Sequence, residues 1–236
     1  MLLILAYQFW HIKIIMNRHS LQLVDFSLTL NKEDLFTEVD FSIAKGEICC
    51  IATKVLDGGT SLLKCFAGIM KPSKGHVLIE GNDLSTLSDS NAFKSVQYCY
   101  ELLGLIRIFT VYDNLFMPMM YHNIAPAKVI RKRIYEVTEK LQIDDILLNE
   151  PMELNDVQMR LVNLARGMIV EPKILLVDEI QAGMSDEMRE ETLNVLVSQA
   201  KALNQTLVVT TTAGDRDDFA DSLYSIDNDK IKRVNL

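Results

Sequence analysis

Three short runs of the sequence consist almost entirely of apolar residues, and they constrain the fold more than any other feature. The runs are Ile48–Ala52, Ile174–Val177 and residues 207–209. Continuous apolar stretches of this length are typical of β-strands buried on both faces. The segments between them have the amphipathic spacing of helices, and one of them, over residues 185–203, opens with a serine suited to cap a helix. The sequence therefore predicts an α/β domain with a mostly parallel sheet.

Two further regions have different patterns. Residues 21–30 and the stretch that follows them alternate between apolar and polar side chains, which indicates half-buried strands. Residues 125–165 are rich in charge, have helical spacing and contain no strand-like run. We interpret this second region as a helical insertion.

Charge and cysteine content exclude several classes of protein. The chain has 24 Lys and Arg against 32 Asp and Glu, for a net charge of −8. Such a chain lacks the basic surface that neutralises phosphates, so we expect no nucleic-acid partner. The four cysteines, Cys49, Cys50, Cys65 and Cys99, form no CxxC pair, and the adjacent two would face opposite sides of a strand. We therefore expect free thiols in the reducing cytoplasm rather than a zinc site or disulfides.

The first 16 residues form an apolar extension of uncertain status. They are shorter than the roughly 20 residues of a membrane-spanning helix, and His11 and Lys13 interrupt them. They also lack the basic start and the small-residue cleavage site of a secretory signal. Either translation begins at Met16, or the extension is an interfacial anchor. With no spanning segment, attachment to a membrane would come from a partner subunit.

Two landmarks follow the first apolar run. Residues 60–81 contain Gly68, Pro72, Gly75 and Gly81, and much later come residues 171–179, Glu-Pro-Lys-Ile-Leu-Leu-Val-Asp-Glu. In this order they resemble the nucleotide-binding subunit of an ATP-binding cassette (ABC) transporter. The resemblance implies a RecA-like P-loop NTPase core with a mostly parallel sheet, an antiparallel β subdomain and a helical subdomain. It places the ABC-type domain at 17–236 and its helical subdomain at about 101–166.

The phosphate-binding loop of the family, G-x-x-G-x-G-K-[ST]-T, aligns with residues 53–61. Its nucleotide-binding positions would be Gly58, Gly59, Thr60 and Ser61. Thr53 and Leu56 replace the first two glycines, Gly59 replaces the lysine, and Asp57 adds a negative charge beside the phosphates. A charge-assisted hydrogen bond contributes about 1.5–3 kcal/mol, so loss of the lysine alone predicts phosphate binding weaker by about one to two decades.

The family signature, LSGGQ, caps the γ-phosphate across a dimer and aligns with residues 154–158. The equivalents of its last four residues are Asn155, Asp156, Val157 and Gln158. Asn155 keeps a polar side chain, whereas Asp156 repels phosphate and Val157 blocks close approach of the backbone.

Three other positions depart from the family. Glu101 aligns with the glutamine of the Q-loop, which senses the metal and contacts the permease. Thr212 aligns with the switch histidine that follows the last core strand. The aromatic residue that stacks on adenine, expected within residues 28–31, is missing, so about 1–3 kcal/mol of stacking is lost.

Two carboxylates of the family remain. By resemblance, Asp178 and Thr60 would hold Mg²⁺, and Glu179 is the candidate catalytic residue that orients or activates water. The alternative is that the two carboxylates cap the backbone at the end of a strand.

Two surface features also leave alternatives open. The methionine-rich residues 116–121 form either a soft partner surface, in a region that receives a permease helix in the family, or part of the core. The basic cluster Lys128, Arg131, Lys132 and Arg133 is either a solvated helix face or an approach to anionic lipid.

An altered site on a preserved framework leads to a functional hypothesis. The chain would be an ABC subunit of a membrane transport complex that binds ATP and Mg²⁺ weakly, hydrolyses ATP slowly or not at all, and has a structural or regulatory role. Its partners would be a polytopic membrane permease and a second ABC subunit, in a homodimer or heterodimer. One alternative is an ordinary ABC transporter ATPase that hydrolyses ATP to drive transport; another is a binding protein without a membrane partner.

Overall fold

The computed structural model describes residues 19–54 and 56–234. The expectations for residues 1–16 lie outside this range. The strands of the described part are β1 (His19–Leu30), β2 (Glu33–Ala44), β3 (Ile48–Ala52), β4 (Lys74–Ile79), β5 (Asn82–Asp83), β6 (Val96–Cys99), β7 (Ile174–Val177), β8 (Thr206–Thr211), β9 (Ser222–Asp227) and β10 (Lys230–Val234). Its α-helices are α1 (Gly59–Phe66), α2 (Asp89–Ser95), α3 (Val111–Tyr121), α4 (Ala127–Lys140), α5 (Asp156–Val170) and α6 (Asp186–Leu203). Short 3₁₀ turns lie at Leu84–Thr86, Asp144–Ile146 and Pro151–Glu153.

The larger sheet has six strands in the order β10-β9-β3-β8-β7-β6. All neighbouring pairs are parallel except β9 and β10, which form an antiparallel hairpin. The three apolar runs lie in β3, β7 and β8, in the middle of this sheet, and are almost completely buried. The predicted α/β class with a mostly parallel sheet is therefore confirmed.

Helices cover both faces of this sheet. Cys49 packs in a cluster with Leu62 and Phe66 of α1, whereas Cys50 packs on the opposite face in a cluster with Leu164 of α5. The adjacent cysteines thus point to opposite faces, as the strand pattern predicts. All four cysteines are free and buried, and burial raises the pKa of Cys50, for example, to about 12.

The smaller sheet is antiparallel, with strand order β2-β1-β4-β5, and packs over α1. Strand β1 has an irregular register near Asp25, which has a positive φ of 49°. Gly75 of β4 crosses this irregularity so closely that a Cβ atom would lie 2.3 Å from the carbonyl oxygen of Asp25. A side chain at position 75 would therefore separate β1 from β4.

Helices α3, α4 and α5 lie between β6 and β7 in the sequence and pack against one another. Their shared core includes Leu115, Ile134 and Val162, all completely buried. None of the helices within residues 19–54 and 56–234 has the length and apolarity needed to cross a bilayer.

The methionine-rich stretch is divided between core and surface. Met119 is completely buried, whereas Met120 and Tyr121 are exposed. In the basic cluster, Arg133 forms an ion pair with Glu171 at 2.6 Å, and the other three residues are exposed on α4.

Candidate nucleotide site

The predicted phosphate-binding residues and Glu179 line one cavity of about 450 Å³ at the carboxyl ends of β3 and β7. Parallel strands end at the same edge of a sheet, which is why segments so far apart in the chain meet here. The loop residues that line this cavity are Thr53, Lys54, Leu56, Asp57, Gly58, Gly59, Thr60 and Ser61. Leu30, Asn31, Glu33 and Leu35 complete the described wall, so no aromatic side chain lines it within residues 19–54 and 56–234.

Helix α1 begins at Gly59. Its N-cap is Gly58, which adopts a left-handed conformation with a φ of 91°. Gly58 has no side chain with which to cap this helix. Thr60 and Ser61 are half-buried in its first turn. The loop thus leads from a buried strand into a helix N-terminus, the arrangement in which phosphate loops bind anions.

The side chains of Asp57 and Thr53, both from the loop itself, lie against the loop backbone. The Asp57 carboxylate accepts hydrogen bonds from the backbone N–H of Lys54 at 2.5 Å and of Gly59 at 3.1 Å. A Cβ atom on Gly59 would lie 2.3 Å from the Cγ2 methyl group of Thr53. That methyl group is held in place because the Thr53 hydroxyl donates to the carbonyl oxygen of Thr211 at 3.1 Å.

Asp178 follows β7 and is only 2% exposed. Its Oδ2 accepts a hydrogen bond from the Tyr98 hydroxyl at 2.5 Å, and its Oδ1 accepts one from the Thr210 hydroxyl at 2.8 Å. Burial, followed by the charge of Asp178, raises the pKa of Tyr98, so the phenol stays a donor. Sequence reasoning missed both partners, although Tyr98 pairs with Leu176 in the sheet and therefore shares a face with Asp178.

Asp178 and Thr60, the predicted magnesium ligands, do not line a common cavity in this conformation. Asp178 is closed to solvent, both of its carboxylate oxygens are hydrogen-bonded, and it does not line the cavity that contains Thr60. The described part of the chain also contains no group of three or more His, Cys, Asp or Glu side chains arranged around a common metal position. For Asp178 and Thr60 to hold a magnesium ion together, the Asp178 carboxylate would have to become exposed to the cavity that Thr60 lines.

Glu179 lies at the cavity wall with a positive φ of 43°, and its backbone N–H donates to the Thr210 hydroxyl at 3.0 Å. Burial raises the pKa of its carboxyl group, and the charges of Glu101, Asp178 and Asp215 raise it further. Its surroundings are thus strongly acidic. A carboxylate of raised pKa in a cleft is suited to accept a proton.

Glu101, at the Q-loop position, forms an ion pair with Arg160 of α5 at 3.0 Å. Arg160 is 6% exposed, and its Nε atom has no hydrogen-bond partner in the part of the chain that the structure describes. Sequence reasoning did not single out Arg160. The ion pair ties the segment after β6 to the helix that carries the signature equivalents.

Thr212, at the position of the switch histidine, is held in a turn. Its backbone N–H and its hydroxyl both donate to the Asp215 carboxylate, at 2.9 and 3.1 Å. This hydroxyl therefore stabilises the turn that follows β8.

The signature equivalents lie at the N-terminus of α5. Asn155 is the N-cap: its Oδ1 accepts from the Gln158 N–H at 2.9 Å, and Gln158 Oε1 accepts from the Asn155 N–H at 3.0 Å. Together with Asp156 and Val157 they line a different cavity of about 910 Å³, next to Ser185. A single chain therefore does not bring the phosphate loop and the signature equivalents into one cavity.

The matching family model and the similar proteins point to the same family. The family model described as "ABC transporter" matches residues 36–182. The chain is 26% identical over 200 residues to the ABC transporter ATP-binding protein YtrE of Bacillus subtilis, covering 80% of this chain and 86% of that protein. It is 28% identical over 177 residues to the molybdate/tungstate import ATP-binding protein WtpC of Pyrococcus horikoshii, covering 75% of this chain but only 50% of that protein.

The fold is also similar to solved structures. The dimeric ATP-binding cassette MJ0796, solved in a post-hydrolysis state bound to ADP and Pi, superposes with a TM-score of 0.81 at 18% identity. The superposition covers 92% of this chain and 99% of that one. At this level of identity the similarity confirms the predicted fold class and says nothing more about the site.

Proposed function

Because this chain belongs to the ABC transporter family, as its two landmarks predicted, we propose that it is a nucleotide-binding subunit of a membrane transport complex with weak or absent ATP hydrolysis. Its role in that complex is structural or regulatory. The observation that carries the proposal is the phosphate loop, where the carboxylate of Asp57 bonds the N–H groups of Lys54 and Gly59.

The energetic consequence is large. The loop lacks the lysine that contributes about 1.5–3 kcal/mol of charge-assisted hydrogen bonding, and it adds a carboxylate that repels phosphate. Asp178, which would ligate Mg²⁺ with Thr60, is buried and hydrogen-bonded to Tyr98 and Thr210. Binding of ATP with Mg²⁺ is therefore weak, and no hydrolytic step is assigned to Glu179.

The residues at the family's other nucleotide-contacting positions form hydrogen bonds and ion pairs within this chain. Glu101 pairs with Arg160, Thr212 bonds Asp215, and Asn155 caps α5. Each of these bonds is made within the chain itself. This pattern favours a scaffold or regulatory subunit, beside an active relative in a heterodimer or as a homodimer.

A permease is the proposed membrane partner. The unit involved is the ABC-type domain, residues 17–236, and its helical subdomain, about 101–166. Here Leu103, Ile108 and Tyr121 are strongly exposed for large hydrophobic side chains. Exposed side chains of this kind would contribute to an interface if the permease covers them together as one patch. The subunit would thus lie at the cytoplasmic face of the inner or cell membrane through its permease.

The second candidate is an ordinary ABC transporter ATPase. It is favoured by Glu179, which lines the same cavity as Thr60 and has a raised pKa suited to a general base. This candidate requires the loop to rearrange and release Asp57. Removal of one member of a catalytic set commonly costs several orders of magnitude in rate, so the altered positions weigh against it.

Phosphate release by the purified full-length chain in Mg-ATP distinguishes the two candidates. We expect turnover no faster than that of Glu179→Gln, the matched control that removes the candidate base. Turnover of about 1 s⁻¹ or more, abolished in Glu179→Gln, would contradict our proposal.

The membrane partner is tested separately. We expect the full-length chain, purified from detergent-solubilised membranes of its own source, to bring a polytopic membrane protein with it. If it is recovered only from the soluble fraction and without such a partner, the proposed role in transport is wrong.

A further inference from the structure

Helix α4 presents one continuous face to solvent. Lys128, Arg131, Lys132 and Tyr135 are exposed, and they follow one another at the three- and four-residue spacing of a single helix face. The opposite face is apolar and is buried against the other helices of this region. The exposed face is therefore not needed for the packing of the helix. We call Lys128, Arg131 and Lys132 the basic stripe.

The protein itself neutralises little of the charge of the basic stripe. Lys128 and Arg131 form no ion pair within residues 19–54 and 56–234. Lys132 lies 3.5 Å from Glu136 in the same helix, but both side chains are largely exposed, and pairs of this kind are weak. The stripe therefore leaves a positive surface on a chain whose net charge is −8.

The order of charges along α4 does not favour the stability of the helix. Its first turn contains Lys128 and no acidic residue, whereas Glu136 and Glu139 lie in its second half. The helix dipole favours acidic residues in the first turn, and α6 follows that rule with Asp186 and Glu187. Cations at the start of α4 are thus unfavourable for the helix itself, which favours a role for them at the surface.

Two exposed aromatic side chains accompany the basic stripe. Tyr121, the last residue of α3, is 81% exposed, and Tyr135 on the face of the stripe is 56% exposed. Residues 122–126 form a compact connection from α3 to α4, so Tyr121 lies at the end of the helices where the stripe begins. Tyrosine, with an apolar ring and a polar hydroxyl, is suited to the boundary between a bilayer and water.

We propose that the basic stripe, together with Tyr121 and Tyr135, is a contact surface for anionic phospholipid headgroups. Charge complementarity identifies the occupant, because basic side chains beside exposed aromatic ones bind the surface of an anionic bilayer. The acidic remainder of the chain does not prevent this contact, since physiological salt screens exposed charges beyond about 8 Å.

The choice of lipid as the occupant rests on the proposed function, which places the subunit beside a membrane. Tyr121 also belongs to the surface that we assign to the permease, so the basic stripe continues that surface toward the bilayer. The contact itself requires neither a permease nor a nucleotide. It would hold the helical region of the subunit against the headgroups that surround the permease.

Co-sedimentation of the full-length chain with permease-free vesicles tests the inference. We expect binding to vesicles of equal parts phosphatidylcholine and phosphatidylglycerol, weakening as salt is added, and at least about tenfold weaker binding to phosphatidylcholine alone. A basic side chain near an anionic surface contributes about fivefold in affinity, the equivalent of about 1 kcal/mol. The triple variant Lys128→Gln, Arg131→Gln, Lys132→Gln should therefore bind the anionic vesicles at least about tenfold more weakly than the wild type.

The matched control removes three exposed cations from the β1–β2 turn, from α6 and from β10, in the variant Lys32→Gln, Lys201→Gln, Arg233→Gln. It has the same net charge as the stripe variant, and its loss should stay below about twofold because these charges lie outside the contact. If the stripe variant loses no more affinity than this control, the proposal is wrong. Equal binding of the wild type to both kinds of vesicle would also contradict it.

Two further variants separate charge from folding. Lys128→Arg, Arg131→Lys, Lys132→Arg keeps every charge and should bind as the wild type does; loss of binding in it would contradict a contact made by charge. If circular dichroism shows that the triple Gln variant is unfolded, Arg131→Gln, Lys132→Gln is compared with Lys201→Gln, Arg233→Gln by the same criterion. All variants keep residues 1–16, so binding through that apolar extension is common to them.

The result is distinguishable from that of the proposed function. The vesicles contain no permease and no nucleotide, so a chain that fails to bring a membrane protein with it contradicts the role in transport and leaves the vesicle result unchanged. A chain that copurifies with a permease but does not bind anionic vesicles contradicts only the lipid contact.

Discussion

Thr53 and Gly59 are sterically linked in the phosphate loop. The Thr53 side chain occupies the space of a Cβ atom at position 59 and is fixed by its hydrogen bond to Thr211. A lysine at position 59 would therefore require the Thr53 side chain or the neighbouring backbone to shift.

The first prediction concerns Gly59→Lys. We expect this variant to unfold about 1–3 kcal/mol more easily than the wild type, because the new side chain overpacks against Thr53, and to gain no affinity for ATP. Urea denaturation and calorimetry measure the two effects.

The matched variant is Thr53→Gly combined with Gly59→Lys. Removing the Thr53 side chain makes room for the lysine, so we expect higher ATP affinity than for Gly59→Lys alone. Equal or better affinity in the single variant would show that Thr53 does not obstruct position 59.

The second prediction concerns the acidic surroundings of Glu179. Its folded-state pKa is raised above the ordinary value of 4.5 by burial and by Glu101, Asp178 and Asp215. A raised carboxyl pKa means that its stabilising contribution is complete below pH 4.5 and is lost as the pH rises through the folded-state pKa. We therefore expect Glu179→Gln to melt at a higher temperature than the wild type at pH 7, by no more than a few degrees because solvent screens this partly exposed carboxyl group.

Thermal melting at two pH values measures this effect. The difference between Glu179→Gln and wild type should disappear near pH 4, where the wild-type carboxyl group is protonated. Glu139→Gln, on the exposed surface of α4, removes the same charge outside the acidic cluster and serves as the control. A difference that persists at pH 4 would argue against a titrating Glu179 as its source.

At the scale of elements, the residues of α5 that align with the family signature stabilise the helix itself. Its N-terminus is closed by the reciprocal hydrogen bonds of Asn155 and Gln158. Further along, Arg160 pairs with Glu101, and Arg166 donates to the carbonyl oxygen of Gly104. The helix is thus held both by its own cap and by bonds to the segment after β6.

The third prediction follows from this cap. Asn155→Ala removes the acceptor for the Gln158 N–H, and we expect it to lower the free energy of unfolding by about 1 kcal/mol. Asn155→Ser restores the family residue and also supplies a cap, so its effect should be a few tenths of a kcal/mol. Urea denaturation of both variants measures the difference, and equal destabilisation would exclude a capping role for Asn155.

At the scale of the whole molecule, the phosphate loop and the signature equivalents line separate cavities. In the family, a complete site combines the loop of one subunit with the signature of another. Here the loop contains Asp57 and the signature region contains Asp156 and Val157, so both halves are altered. In a heterodimer, each of the two composite nucleotide sites would therefore include one altered half from this chain.

The fourth prediction concerns association of the isolated chain. If the loop and the signature equivalents bind a triphosphate as weakly as we propose, adding Mg-ATP should leave the mass of the isolated chain unchanged in light scattering. The triple variant Thr53→Gly, Asp57→Ala, Gly59→Lys rebuilds part of the loop and is compared under the same conditions. A wild-type mass that doubles on addition of Mg-ATP would contradict the prediction.

The fold was largely predictable because its strongest signals are local. The apolar runs of β3 and β7 report burial on both faces, and the Ser185 cap marks the start of α6. The alignment of the two landmarks then located the candidate site, including Gly58 and Glu179. The lost lysine and the missing aromatic residue were also evident from residue identity alone.

What the sequence by itself determined is therefore the fold class, the family and the positions at which the site departs from it. The tertiary structure alone decided what the altered residues do: that Tyr98 and Thr210 bond Asp178, that Arg160 pairs with Glu101, and that the Asp57 carboxylate turns toward the backbone. The spacing of apolar residues along the sequence indicates which side chains are buried, because burial follows this local pattern. It does not record hydrogen-bond partners, because these depend on strand order, register and loop conformation, which bring together atoms from distant parts of the chain.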